Sequence, residues 1–337
     1  MQIVGECNLL QSAQYREVSM STTGEERSLK GQSTSKKINK IKRFIPLYLL
    51  MLPAYIYLFI NNYLPMAGLV LAFKKYNVKS GIFGSPWNGF INFGFLLKNK
   101  TLPIIIRNTL GYNIAFIIIN LILGVLLAII ITELPKGWFR KLSQSSVLMP
   151  FVISIIIISY MVRAFLDPEA GLINHIIQYF GGKKIMWYDT PKYWPLILIY
   201  VNTWKGVGYG TILYISAILG IDQSLFESAA MDGATKMQQI RYITIPLIKP
   251  TMITILLLNI GRIFNSDFGL FYQVPQNSGL IQNVTQTIDT FVYRSLLVQN
   301  NIGLSSAASF FQSILGFIMV LFFNGLTRKI SRENSLF

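Results

Sequence analysis

The chain has 337 residues, 52% of them hydrophobic and 13% charged, with 30 Lys and Arg against 14 Asp and Glu and a formal charge of +16. Its mean hydropathy of +0.48 and charged fraction of about half the usual globular value argue against a soluble enzyme. One cysteine, Cys7, and one histidine, His175, exclude an internal disulfide framework, a multi-Cys metal site and a centre built on several histidines. The sequence reads as an integral membrane protein whose excess of basic residues faces anionic lipid rather than nucleic acid.

Residues 1–43 are polar and hold eight Lys and Arg, with no apolar run of export-signal length before Phe44. Composition predicts a disordered, basic cytoplasmic tail. Six stretches then reach the roughly 20 apolar residues that a spanning helix needs: 44–64, 103–131, 145–166, 194–220, 250–272 and 304–326. An apolar patch at 66–73 is too short to span and is expected to be re-entrant or interfacial. The expected domains are the tail 1–43, a membrane domain 44–330 with a cytoplasmic loop at 221–249, and a short tail 331–337.

With the N-terminus inside, eight basic residues of the tail and three in each of three other segments face the cytoplasm, against five, three and one outside. This asymmetry predicts that both termini are cytoplasmic. Trp87, Trp187, Tyr188, Tyr193 and Trp194 suit an outer interfacial belt. Arg107 and Arg163 lie near outer span ends, where they can snorkel, and Asp167 and Glu169 suit a helix cap rather than paired-acid catalysis.

Deeper in the spans lie Lys205, Asn259, Arg262 and Asp267. They admit two readings. One is a polar path for a hydroxyl-rich or acidic solute; unpaired cations facing it would favour an anionic one. The other is an internal Arg262–Asp267 or Lys205–Asp267 pair between helices. Gly206 and Gly210 have G-x-x-x-G spacing and are expected to serve helix packing.

The third cytoplasmic loop is the most informative segment. It runs from Glu227, Ser228, Ala229 and Ala230 through Asp232 and Gly233 to Ile243, Pro246 and Pro250. A short helix rich in small residues, a turn at Gly233 and a proline-marked entry into the next span are expected. In this pattern of Glu-x-Ala, three residues, Gly, nine residues and Ile-x-Ile-Pro, the segment resembles the EAA loop of binding-protein-dependent ABC importer permeases. Ser228 stands where that family has Ala, and Ile245 where it has Leu. Residues 85–92 (SPWNGFIN), 202–210 (NTWKGVGYG) and 219–227 (LGIDQSLFE) are similar to the polysaccharide and oligosaccharide permeases of the carbohydrate-uptake branch.

The resemblance covers roughly 44–330 and implies an all-α, maltose-permease-like fold of six transmembrane helices. It implies a non-catalytic half-channel for an oligosaccharide, in a bacterial plasma membrane. The partners would be a second homologous permease, two ATPase subunits carrying ATP and Mg, and an extracytoplasmic solute-binding protein. Glu227 would anchor the loop to the ATPase, with Ala229 and Ala230 as its packing face. No phosphate-binding G-x-x-x-x-G-K-[ST] motif occurs in this chain. The alternative is a self-sufficient secondary transporter of a small polar solute, although the spans show no clear duplication.

Overall fold

The computed structural model describes residues 44–330, so both expected tails lie outside the described residues. The described residues are helical throughout, with one isolated β-bridge between Lys74 and Trp87. The chain divides into two compact units, Met1–Ala67 and Gly68–Phe337. In the first begins an apolar helix, α1 (Phe44–Phe73), of 30 residues. It tightens to a 3-10 path over Ala67–Phe73, so the 66–73 patch continues this helix instead of forming a separate element.

The second unit contains α2 (Ile91–Lys98), α3 (Leu102–Glu133), α4 (Trp138–Val152), α5 (Ile155–Leu166), α6 (Leu172–Tyr179), α7 (Trp194–Leu219), α8 (Gln223–Met231), α9 (Lys236–Ile260), α10 (Ile288–Leu297) and α11 (Ile302–Ile330). Four helices, α1, α3, α9 and α11, are long and apolar enough to cross a membrane, and the bent pair α4–α5 makes a fifth. The 26 residues of α7 suffice in length, at about 1.5 Å per residue. Its middle is diluted by Asn202, Thr203, Lys205 and three glycines.

Two expected spans are redrawn. The stretch 145–166 is not one rod, because α4 and α5 meet at 92°. Pro150 weakens the end of α4, Ile153 and Ser154 are both extended, and the Ser154 hydroxyl accepts the Ile156 N–H to start α5. The stretch 250–272 stops at Ile260, where Gly261 caps the helix. Its distal apolar residues Ile263, Phe264, Leu270 and Phe271 are buried in the protein core, which is why a hydropathy count extends the span too far. The helix reaches back instead to Lys236. A π turn over Ile240–Thr244 precedes Pro246, widening the helix where the proline offers no N–H.

Packing centres on α3 and α7. Tyr112 and Phe116 of α3, Trp194, Leu198 and Val201 of α7, and Leu270 and Phe271 form one core. Val125, Ala128 and Ile131 meet Tyr214, Ile215, Ile218 and Ile248 in another. A Cβ on Gly208 would lie 2.0 Å from the Val147 carbonyl oxygen, so Gly208 is where α7 meets the backbone of α4. Gly206 has nothing within 4 Å of that position, and Gly210 touches only the Tyr214 ring edge at 4.0 Å. The packing glycine is therefore the one between the G-x-x-x-G pair.

Candidate functional site

The inner faces of α3, α7 and α9 enclose a cavity of about 160 Å³. Asn120, Gly206, Tyr209, Gly210 and Asn259 line it among apolar neighbours. The Asn120 amide donates to Asn202 Oδ1 at 3.2 Å. Asn120 Oδ1 and the neighbouring Thr203 hydroxyl are buried without a partner among the described residues. Buried polar atoms without partners are uncommon and mark sites that exchange water or ligand. Tyr209 stacks on Phe151 at 5.1 Å and 20°.

The four intramembrane candidates occupy different places. Asn259 lines this cavity. Lys205 donates to the carbonyl oxygens of Phe151 at 3.0 Å and Ile153 at 2.8 Å, and its ammonium lies 5.7 Å from the Phe151 ring centroid. Those carbonyls are orphaned where α4 stops, so the cation satisfies a helix C-terminus. Arg262 lines a separate cleft between the end of α9 and α11. Asp267 Oδ1 accepts the Leu270 N–H at 3.1 Å and opens the π turn Gly269–Gln273. Neither alternative ion pair forms. Among the described residues the ion pair is Lys236–Glu133, at 3.4 Å.

Asn113, Asn120, Asn202 and Tyr209 join the polar set without having been singled out from the sequence. Asn113 donates to the carbonyls of Ile263 and Asn265, tying α3 to the chain beyond α9. Seven residues apart in α3, Asn113 and Asn120 share one helix face, and that periodicity is the signal that points to them.

At the other end of α7 the chain makes an exposed helical hairpin. Asp222 caps α8 by accepting the Ser224 N–H at 3.0 Å, and this bond holds its carboxyl below the ordinary value of 3.8. After Asp232, Gly233 adopts φ +80°. Gly233 N–H donates to Ala230 O and Ala234 N–H to Ala229 O, the paired closure of a Schellman turn with glycine at its left-handed position. Thr235 and Gln238 form a capping box that starts α9. Ser228 contributes its carbonyl to the Asp232 N–H. Glu227, Ala230 and Pro246 are exposed, while Ala229 and Ile243 are half-buried. Glu227 makes no ion pair among the described residues. The arrangement is a polar-tipped knuckle closed by its own caps, directly continuous with a long apolar helix.

A family model for the binding-protein-dependent transport system inner membrane component matches residues 120–332, which take in this knuckle and the cavity lining from Asn120 onward. The chain belongs to this family. The permease is 33% identical over 287 residues to the polygalacturonan/rhamnogalacturonan transport system permease protein YteP of Bacillus subtilis, covering 85% of this chain and 89% of that one. Protein LplB of the same organism is 30% identical over 293 residues, covering 87% and 92%. The crystal structure of a bacterial ABC transporter involved in the import of the acidic polysaccharide alginate superposes with a TM-score of 0.79 at 32% identity, covering 87% of this chain and 98% of its own. Its complex with an alginate pentasaccharide-bound periplasmic protein matches equally, at 0.79. The permease is thus an integral membrane subunit of an ABC importer, and family membership replaces the alternative of a self-sufficient secondary transporter.

Proposed function

We propose that this permease forms half of the path for an oligosaccharide or polysaccharide fragment across a bacterial plasma membrane, with both termini cytoplasmic. Six spans would be α1, α3, the α4–α5 pair, α7, α9 and α11, within a permease domain 44–330. A second homologous permease supplies the other half, and an extracytoplasmic binding protein delivers the sugar. Two ATPase subunits, which bind ATP and Mg, drive the cycle, and this chain performs no catalysis.

The observation that carries this reading is the knuckle at 221–249. Its tip is exposed, its turns are held by its own caps, Lys236 pairs with Glu133 of α3, and its second arm is a membrane helix, so a push on α8 is transmitted along α9. Glu227 is the polar anchor for the ATPase, and Asp232 borders the docking tip. Ser228, Ala229 and Ala230 keep the helix slim enough to enter a groove, and Gly233 sets the turn. Ile243 lies in the π turn inside α9 and Pro246 follows it, so the two set how the helix runs on from the knuckle. In the path, Asn259 touches sugar and Lys205 holds the α4–α5 elbow beside it. Arg262 and Asp267 lie at the break beyond α9. The sugar class is supported by the named cargo of the relatives and by the amide and tyrosine lining of the cavity, which suits hydroxyl groups.

Purification from the native membrane in mild detergent tests the assembly. A second permease and an ATPase should accompany the chain, with ATPase activity that rises on adding binding protein and sugar. Isolation of the chain alone, across several detergents, would overturn the reading.

A further inference from the structure

The first turns of α3 hold a cation unlike the others. Arg107 Nε and Nη2 donate to Asn108 Oδ1 at 3.3 and 3.0 Å, and Nη2 also donates to the Asn283 carbonyl at 3.0 Å. Asn108 is itself buried and anchored, its amide donating to the carbonyls of Asn283 and Gln286 at 3.1 and 2.9 Å. Every partner is neutral. The guanidinium is therefore held along one edge without its charge being compensated. Its Nη1 group makes no hydrogen bond among the described residues, and the side chain is exposed.

This edge borders a cleft of about 410 Å³ formed with Gly111, Tyr112, Pro195 and Ile199. Nothing lies within 4 Å of a Cβ position on Gly111, so the cleft is open there. Other cations are spent or loose. Lys205 is engaged by two carbonyls, Arg294 is buried, and the exposed Arg163 has no hydrogen bond fixing it among the described residues.

We infer that Arg107 and its cleft form a carboxylate-selective contact for an acidic saccharide at the outer mouth of the permease, an inference that rests on the function and orientation proposed above. A guanidinium held by neutral amides loses little side-chain freedom on binding, and its open edge matches a carboxylate in a planar, charge-assisted pair. A cleft of this size falls within the range of ligand sites, which begins at about 300 Å³.

The test uses the assembled importer in phosphatidylcholine nanodiscs without binding protein, and measures binding of trigalacturonate and of its methyl ester, which lacks the carboxylate charges. Wild type should bind the acid about tenfold more tightly than the ester. Arg107→Gln should abolish that preference while leaving ester binding intact, Arg107→Lys should retain part of it, and Arg163→Gln should keep all of it. An unchanged preference in Arg107→Gln, or equal loss for acid and ester, would overturn the assignment while leaving the importer reading standing. Failure of wild type to bind either saccharide would overturn the cleft assignment, while the importer reading stands or falls on the co-purification above. An Arg107→Gln protein that keeps its preference but co-purifies with less anionic lipid would assign the cleft to a headgroup instead.

Discussion

Residues 220–240 and 261–295 both interrupt the run of long apolar helices, yet they are built in opposite ways. In the first, the side-chain hydrogen bonds join near neighbours, as in the Asp222 cap and the Thr235–Gln238 box, and α8 buries none of its residues. In the second, Asp289 accepts from the Ser266 N–H and hydroxyl at 2.6 and 2.7 Å and from Gln312 at 3.1 Å. Thr109 accepts the Ile288 N–H, and Arg294 reaches across to Asn277 Oδ1 at 2.7 and 3.0 Å. The sealed segment is scaffold, because the bonds of Asp289, Ile288 and Arg294 run between separate elements, although Arg294 Nη1 and Ser295 Oγ are buried without a partner among the described residues. The open one, tied to α3 by the Lys236–Glu133 pair and otherwise ordered by local bonds, is the segment proposed above to dock on another subunit. Damage to the sealed segment should register in stability, and damage to the open one in transport.

The largest stability loss is expected where backbones touch. Gly208→Val places a branched side chain against the Val147 carbonyl and forces α4 from α7, a cost of about 3 kcal/mol or more. Thermal unfolding in detergent should show it, while Gly206→Ala, with open space around it, should unfold near wild type. Equal losses would mean that close packing at Gly208 is not what joins these helices. Asp289→Ala comes next. It strands the Ser266 and Gln312 donors, and bonds to a charged acceptor contribute about 1.5–3 kcal/mol each. The expected result is a lower unfolding temperature with the knuckle's hydrogen exchange unaltered. A change confined to transport would erase the distinction between the two segments.

Gly233→Val sharpens the contrast from the other side. A β-branched residue at φ +80° costs about 1–2 kcal/mol, all of it within a turn that supports no core. Global unfolding should barely move, while sugar-stimulated ATPase activity and uptake should fall at least tenfold. Valine is a stricter probe than aspartate, which enters the left-handed region more readily. Normal uptake with normal expression would remove the coupling role of the turn.

These differences explain what the sequence discloses. The left-handed position at 233 is legible because only a glycine occupies it cheaply, and the small residues before it are recorded in side-chain size. The fate of Lys205 is not legible, because its partners are the backbone carbonyls of Phe151 and Ile153 and carbonyls carry no residue signature. Pro246 and Pro250 suggest a fresh helix start, yet the π turn at Ile240–Thr244 carries one helix through from Lys236. Hydropathy sees Ile263, Phe264, Leu270 and Phe271 as lipid-facing when they are core, since burial in protein and burial in lipid select the same side chains. Gly208 is hidden between two glycines of better-known spacing, because close approach depends on which face the neighbouring helix takes.

The smallest effect separates the segments by pH. The Ser224 N–H keeps the Asp222 carboxyl below its ordinary value of 3.8, so the charged form is the one that caps α8. That stabilisation is complete above the ordinary value and is lost as pH falls through the lowered folded-state value. At neutral pH, Asp222→Asn should leave the cap nearly intact, since asparagine is an equally good N-cap acceptor, whereas Asp222→Ala should not. Amide exchange at Ser224 and Leu225 should accelerate several-fold in the alanine variant, with exchange in α10 unchanged. Acidified wild type should converge on the alanine variant, while the asparagine variant should stay protected at both pH values. If α10 responded along with α8, the knuckle would be energetically joined to the sealed segment, and a push at Glu227 would spread through the scaffold instead of passing along α9.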